Sequence, residues 1–263
     1  LVCHNRVRVE YAASAANYLH SYYEAENQTY ASAVKAWSGL GGKIHVWLYE
    51  VNYWNYFYPY NSYDSIPETL RFFKSYNTDY VYSEGTFENT NSSGFTKLRD
   101  YLASKFEFNC NYNYGEVVDF WFENYFADAE PYMRQYFNEI QANLRSKEYK
   151  TGGSVHSYGI AREDIWPQGM INHWMDLFDK SYKAIEHYKA TNPEKYELLY
   201  KNILIESQFP RLVLCTTYAS TYSENQLKTL RSAFYKDFTE LQNTNLREGE
   251  LAEDTVFKSW NLD

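Results

Sequence analysis

The chain has 263 residues, of which 34 are acidic and 25 basic, so its formal net charge is −9. This acidic balance, without a lysine- or arginine-rich stretch, argues against a nucleic-acid partner, which needs cations to neutralise phosphates. No apolar run reaches the roughly 18 residues of a membrane-spanning helix. Three widely separated cysteines, Cys3, Cys110 and Cys215, do not predict a disulfide framework.

Three strand-and-helix units follow one another through the first 110 residues. Alternating or β-rich runs predict strands at 6–11, 43–49 and 79–83, and helical patterns follow at 27–37, 67–76 and 94–106. The strands recur roughly every 36 residues, which is typical of βα units in a parallel sheet. Ser65 and Glu68 predict a capping box at the start of the second helix, with Pro67 in its first turn.

Three βα units cannot close an eight-stranded barrel. We therefore expect residues 1–110 to form the C-terminal part of a TIM-like barrel, with a small open α/β layer as the alternative. The sequence begins at Leu1 and enters a strand pattern almost at once. This start favours an upstream barrel segment of the same protein as a partner.

Residues 111–263 are expected to form a helical C-terminal domain, so the predicted fold class is α/β plus all-α. Asn113 before Glu116, Asn192 before Pro193, and Ser223 before Gln226 are helix-start signals. Pro210 should kink or end its helix. Apolar residues at helical spacing indicate a packed core and do not call for a cofactor.

The run from Trp47 to Tyr63, WLYEVNYWNYFYPYNSY, is the strongest functional signal. About half of its residues are aromatic, and Glu50 and several amides stand among them. Aromatic faces suit the C–H faces of sugar rings, while amides and carboxylates suit their hydroxyls. The run follows a strand, where a barrel places its active-site loop, although 29 tyrosines in the chain make some clustering inevitable.

In a parallel barrel the reactive groups lie at the carboxyl ends of the strands. Glu84 ends the third strand and precedes Gly85, so it is the candidate catalytic carboxylate; paired carboxylates are the tools of glycoside hydrolysis. The candidate substrate-binding residues come from the first two strand ends and the aromatic run: Tyr11, Trp47, Tyr49, Glu50, Asn52, Tyr53 and Trp54.

Other residues give weaker signals. Glu10 is a further strand-end carboxylate, Glu88 follows the third strand, and His156 is a candidate for the edge of the site. The six histidines show no metal-binding spacing, and nucleophile-elbow, Walker and dinucleotide-binding motifs are missing from the sequence. We therefore expect neither a metal nor a cofactor.

The order of these segments resembles a bacterial family known as domain of unknown function 4838. The resemblance rests on KIHVWLY at 43–49, Asn52-Tyr53, Tyr58-Pro59, Ser83-Glu84-Gly85 and LRDYLASK at 98–105, and it extends over roughly 6–141. Members commonly carry an aspartate where this chain has Leu48, which puts an acid role at that position in doubt. Phe106-Glu107-Phe108-Asn109 also replaces the usual Trp-Asp-Pro.

The family looks distantly similar to alpha-glucuronidases and hexosaminidases of the glycoside hydrolase superfamily. The resemblance implies a TIM-like barrel with a helical C-terminal domain, acting on complex carbohydrate. We expect the C-terminal portion of a glycoside hydrolase that contributes one wall of the active-site cleft. The alternatives are a non-catalytic glycan-binding module and a helical scaffold or interaction protein whose aromatic residues are core. Secreted, cell-surface and cytoplasmic locations all fit the sequence.

Overall fold

The computed structural model describes residues 2–4, 6–157 and 159–262, without the side chain of Tyr149. The strands are β1 (Arg8–Ala12), β2 (Lys43–Tyr49), β3 (Thr78–Glu84), β4 (Asn245–Arg247) and β5 (Glu250–Leu251). The helices are α1 (Gln28–Ser38), α2 (Ser65–Lys74), α3 (Thr96–Phe108), α4 (Tyr114–Phe126), α5 (Glu130–Thr151), α6 (Gln168–Ile185), α7 (Tyr188–Thr191), α8 (Pro193–Cys215), α9 (Glu224–Glu240) and α10 (Lys258–Trp260). The protein is thus mixed α/β and mostly helical.

The first three strands form a parallel sheet in the order β1-β2-β3. Ala12 pairs with Trp47, and Trp47 pairs with Tyr82, so the three strands end at one edge of the sheet. Each strand is followed by a helix, which confirms the predicted βα units. The described residues contain these three parallel strands and do not contain a closed barrel.

The two faces of the sheet differ in burial. Ile44, Val46 and Leu48 on β2 are buried in the same core cluster as side chains of α1, α2 and α3. Trp47 and Tyr49 alternate with them and are only half-buried. The sequence left the direction of Trp47 undecided; the structure directs it away from the helices.

We call the face with the partly exposed side chains the open face. It carries His45, Trp47, Tyr49, Tyr80, Tyr82 and Glu84. The rings of Tyr80 and Tyr82 are 54% and 41% exposed. Alternation along the strands decides which side chains reach this face.

The predicted helix starts are confirmed at three helices. Asn113 accepts a hydrogen bond from the Glu116 amide, and Asn192 accepts one from the Lys195 amide. Ser223 and Gln226 form a reciprocal capping box at α9. These caps satisfy amides that the first helical turn leaves without partners.

One local prediction is wrong, and a second is excluded in one of its two forms. The cap residue of α2 is Asp64, and the Ser65 hydroxyl donates instead to the carbonyls of Tyr18 and Ser62. Pro210 does not end its helix, because α8 continues to Cys215, and a kink at this residue stays a prediction. Burial of almost the whole second half of α8 offsets the cost of a proline inside a helix.

The helical region also contains a β-hairpin that the sequence did not predict. Strands β4 and β5 pair antiparallel around Gly249, whose φ of +72° favours glycine at the turn. One large buried cluster contains residues from both sides of position 110. The division into two domains at that position therefore stays a prediction, with a continuous core across it.

Candidate functional site

Four segments that are distant in sequence meet beyond the carboxyl ends of the parallel strands. The Tyr53 amide donates to the carbonyl of Val155 at 2.8 Å, and the Glu248 amide donates to the carbonyl of Tyr53 at 2.8 Å. The Tyr53 hydroxyl donates to the carbonyl of Glu84 at 3.2 Å. These bonds hold the aromatic run between the loop at 153–157, the end of β3 and the β4–β5 hairpin.

Glu84 ends β3 at this edge and belongs to the open face. Its Oε2 accepts a hydrogen bond of 2.6 Å from Nε1 of Trp47 on the neighbouring strand. Tyr49 is the register partner of Glu84, and burial together with the negative charges of Glu84 and Glu10 raises the pKa of its phenol. Tyr49 therefore stays protonated near neutral pH and keeps its hydroxyl as a donor.

Aromatic rings surround this carboxylate on the open face. The ring centroids of Trp47 and Tyr82 are 4.6 Å apart in an edge-to-face arrangement, and those of Trp47 and Tyr49 are 6.3 Å apart. A partly exposed carboxylate beside exposed ring faces offers both interactions that a sugar ring needs.

Two further carboxylates, Glu88 and Glu248, lie near the carboxyl ends of the strands. The Tyr56 hydroxyl donates to Oε2 of Glu88 at 3.1 Å, and the Gly249 amide donates to the same carboxylate. Nε2 of His156 lies 4.0 Å from Oε2 of Glu248. The sequence singled out Glu88 and His156, but Glu248 gave no signal because its hairpin is about 160 residues away along the chain.

Most of the aromatic run is core. Six of its seven rings beyond the strand are buried: Tyr53, Tyr56, Phe57, Tyr58, Tyr60 and Tyr63. Burial, followed by the charges of Glu84 and Glu50, raises the pKa of Tyr53. Of the nine rings in the run, the structure leaves those of Trp47, Tyr49 and Trp54 partly exposed.

Besides the buried Tyr53, three further sequence candidates lie away from the open face or are buried. Tyr11 is on the helix-covered side, where its hydroxyl donates to the Tyr30 carbonyl at 3.0 Å and its ring lies 6.3 Å from that of Phe73. The buried Asn52 amide donates to the Ser157 carbonyl at 3.1 Å. These contacts fit roles in packing and in fixing the loop.

Glu50 is the third of these, and it is only 4% exposed. Burial raises the pKa of its carboxyl to about 8, with Arg99 acting in the opposite direction and Glu107 reinforcing the rise. The Ser83 hydroxyl lies 3.5 Å from Glu50 Oε1 and donates to Glu107 at 2.7 Å. Glu50 and Glu84 end neighbouring strands, yet one residue of offset directs them to opposite faces.

A separate acidic cluster surrounds His20. Its Nδ1 lies 2.8 Å from Glu24 and its Nε2 lies 2.6 Å from Glu148 on α5, while Glu26 is close by. Burial lowers the pKa of the imidazole, but the hydrogen bonds to Glu24 and Glu148 outweigh it and raise the pKa overall. His20, Glu24 and Glu26 are near enough to hold a cation, but both ring nitrogens already have carboxylate partners. The cluster ties the loop after β1 to α5.

The fold and the open face define a mostly helical α/β protein with carboxylates and aromatic rings at the carboxyl edge of a small parallel sheet. Within the described ranges, every helix is too short or too polar to cross a bilayer. The family described as "Domain of unknown function (DUF4838)" matches residues 1–138. The chain belongs to this family, which confirms the resemblance drawn from its motifs.

Similarity is also found among solved structures. No curated protein matches the chain. Among solved structures, the chain is similar to a protein described as a "GH138 enzyme targeting pectin rhamnogalacturonan II", with 13% identity and a TM-score of 0.38. The match covers 89% of this chain and 36% of that enzyme's chain, so this chain spans about a third of the enzyme's length.

Proposed function

We propose that this protein is the C-terminal portion of a glycoside hydrolase acting on complex carbohydrate, and that its open face forms one wall of the active-site cleft. The observation that carries the proposal is the Glu84 carboxylate, partly exposed among the rings of Trp47, Tyr49 and Tyr82 and bonded to the Trp47 indole. It lies at the carboxyl edge of parallel strands, the edge that carries catalysis in βα barrels.

In this proposal Glu84 donates or accepts the proton at the glycosidic oxygen, and Trp47 orients it. Tyr49 lines the sugar site. Tyr53 stabilises the end of β3, because its hydroxyl donates a hydrogen bond to the Glu84 carbonyl. Hydrolysis needs a second carboxylate. Glu88 and Glu248 are nearest to that role, because both lie at the same edge, whereas Glu50 is buried on the other face.

The proposed partner on the open face is a further strand-bearing segment of the barrel. β1 and β3 are the outer strands of the sheet, so each offers one edge for pairing. Tyr80 and Tyr82 expose large rings that the interior of a closed barrel would cover. The family resemblance to glycoside hydrolases supports the same arrangement.

The test uses the complete gene product that contains this chain. Wild type, Glu84→Gln and the matched control Glu197→Gln, which makes the same change on the exposed side of α8, are assayed on oligosaccharides by release of reducing ends. We expect Glu84→Gln to lower turnover by about 10²- to 10⁴-fold, the usual contribution of a general acid or base, while Glu197→Gln retains full turnover. Unchanged turnover in Glu84→Gln would contradict a catalytic role for Glu84.

A non-catalytic glycan-binding module is the second candidate, favoured by the opposite orientations of Glu50 and Glu84. In such a module the rings supply the affinity and no acid is needed. It would be supported if wild type binds oligosaccharides without cleaving them and if Glu84→Gln leaves the affinity unchanged. Measuring turnover and affinity on the same proteins therefore distinguishes the hydrolase from the binding module.

A further inference from the structure

A cleft of about 350 Å³ opens beside Trp54, on the side of the aromatic run that faces the hairpin. This volume is at the lower end of the range for small-molecule sites, about 300–1,000 Å³. Its walls come from the aromatic run, the end of α8 and the β4–β5 hairpin, and the residues that matter for its chemistry are Trp54, Asn55, Leu212, Thr216, Arg247 and Glu250.

The cleft is held by contacts between its walls. The Tyr56 amide donates to the carbonyl of Leu246 at 3.0 Å, which attaches the aromatic run to β4. The Arg247 guanidinium lies 5.4 Å from the centre of the Trp54 ring and forms an ion pair with Glu250. The Trp54 ring therefore has a fixed place before any ligand arrives, which lowers the entropy cost of binding.

The lining combines apolar and hydrogen-bonding surface. Trp54 and Leu212 offer apolar faces, whereas the partly exposed Arg247–Glu250 pair offers donors and acceptors side by side. A purely apolar ligand would cover this ion pair without replacing its water, which costs free energy. The ligand must therefore carry hydroxyl groups as well as an apolar face.

Charge further restricts the class of ligand that the cleft can bind. The positive charge of Arg247 is already balanced by Glu250, Glu248 stands next to it in the hairpin, and the chain has a net charge of −9. A phosphate or a carboxylate would have to displace Glu250 against this field. A neutral ligand avoids that cost and uses both members of the pair.

We propose that the Trp54 cleft binds one neutral pyranose ring of a glycan. The C–H face of the sugar lies on the indole and Leu212, and its hydroxyls bond to the Arg247–Glu250 pair. The cleft is separate from the Glu84 surface and does not require it, because neither Glu84 nor the open-face rings beside it line the cleft.

The test is a titration of the isotope-labelled protein with the methyl pyranosides of glucose, galactose, mannose and N-acetylglucosamine. The indole N–H resonance of Trp54 is identified by its loss in Trp54→Phe. We expect at least one glycoside to shift this resonance in a saturable way. If none shifts it at about 10 mM, a concentration well above a dissociation constant of about 1 mM, the proposal is wrong.

Variants then locate the bound sugar. Trp54→Ala should weaken the affinity measured from the ligand signals at least tenfold, and Trp54→Phe, which keeps a flat ring, should weaken it less. Trp37→Ala is the matched control, because Trp37 is a 43% exposed tryptophan on α1 outside the cleft. Unfolding curves show whether each variant is folded. If Trp54→Ala does not fold, the affinity of Trp54→Phe tests the proposal in its place.

Glu84→Gln separates this inference from the proposed catalytic role. We expect it to leave the affinity of the cleft unchanged. If Glu84→Gln abolishes binding while Trp54→Ala does not, the sugar lies on the open face and the cleft proposal is overturned. Preferential binding of methyl glucuronide over the neutral glycosides would overturn the assignment of ligand class.

Discussion

Two aromatic regions of this protein lie side by side and have opposite surroundings. Six of the seven rings of the aromatic run beyond β2 are buried; one of them, Phe57, lies 5.4 Å from Phe238 on α9. The rings of the open face, Tyr80 and Tyr82, remain exposed. The denser cluster in the sequence is thus chiefly a core, and the sparser one is the surface on which a ligand or a partner can act.

The largest expected difference between the two regions is in stability. Phe57→Ala should lower the free energy of unfolding by about 3–5 kcal/mol, because it removes a fully buried ring and leaves a cavity. Tyr82→Ala should cost about 1 kcal/mol, mainly its contact with Trp47. Urea unfolding of both variants measures the difference. Equal losses would mean that the open face is part of the core.

A second difference concerns the carboxylates that each region carries. Burial raises the pKa of Glu50 from 4.5 to about 8, so the folded state holds its proton where the unfolded state has released it. The resulting stability is complete below pH 4.5 and is lost as the pH rises to about 8. At about 1.4 kcal/mol per pKa unit, the loss is a few kcal/mol.

Glu50→Gln should therefore flatten the fall in unfolding free energy between pH 4.5 and 8 and raise stability at the upper end. Glu206 on α8 is also fully buried, and its pKa is raised to about 8 by burial. Glu206→Gln should remove a comparable part of the same slope, and the double variant should remove both. An unchanged slope in Glu50→Gln would show that this carboxyl is hydrated in solution.

The smallest expected effect is on the open face. Trp47→Phe keeps a ring but removes the indole N–H that bonds Glu84. Because Glu84 is only partly buried and water can replace the donor, the cost in stability should be about 1 kcal/mol or less. Oligosaccharide affinity should fall several-fold if the bond orients Glu84. Tyr82→Phe is the control: it keeps the neighbouring ring and should not disturb Glu84, so an equal fall in both variants would point to general loosening of the face.

The sequence predicted those features whose cause is local. Alternation in KIHVWLY predicted β2 with its observed bounds. Asn113, Asn192 and Ser223 predicted helix starts, because each side chain accepts a hydrogen bond from an unpaired amide in the first turn of its own helix. Ser65 failed as a cap because distant Tyr18 offered its hydroxyl another acceptor. Here a contact outside the segment overrode the local signal.

Tertiary structure alone decided which groups are available for chemistry. Glu50 and Glu84 stand at comparable strand ends in the sequence, but the helices cover one face of the sheet and thereby bury Glu50 and leave Glu84 accessible. Glu248 reaches the strand ends through a hairpin with no local signal for its partner. Neighbouring residues in the sequence determine local hydrogen bonding and periodicity. Burial and desolvation depend instead on which distant segments of the chain pack against a residue.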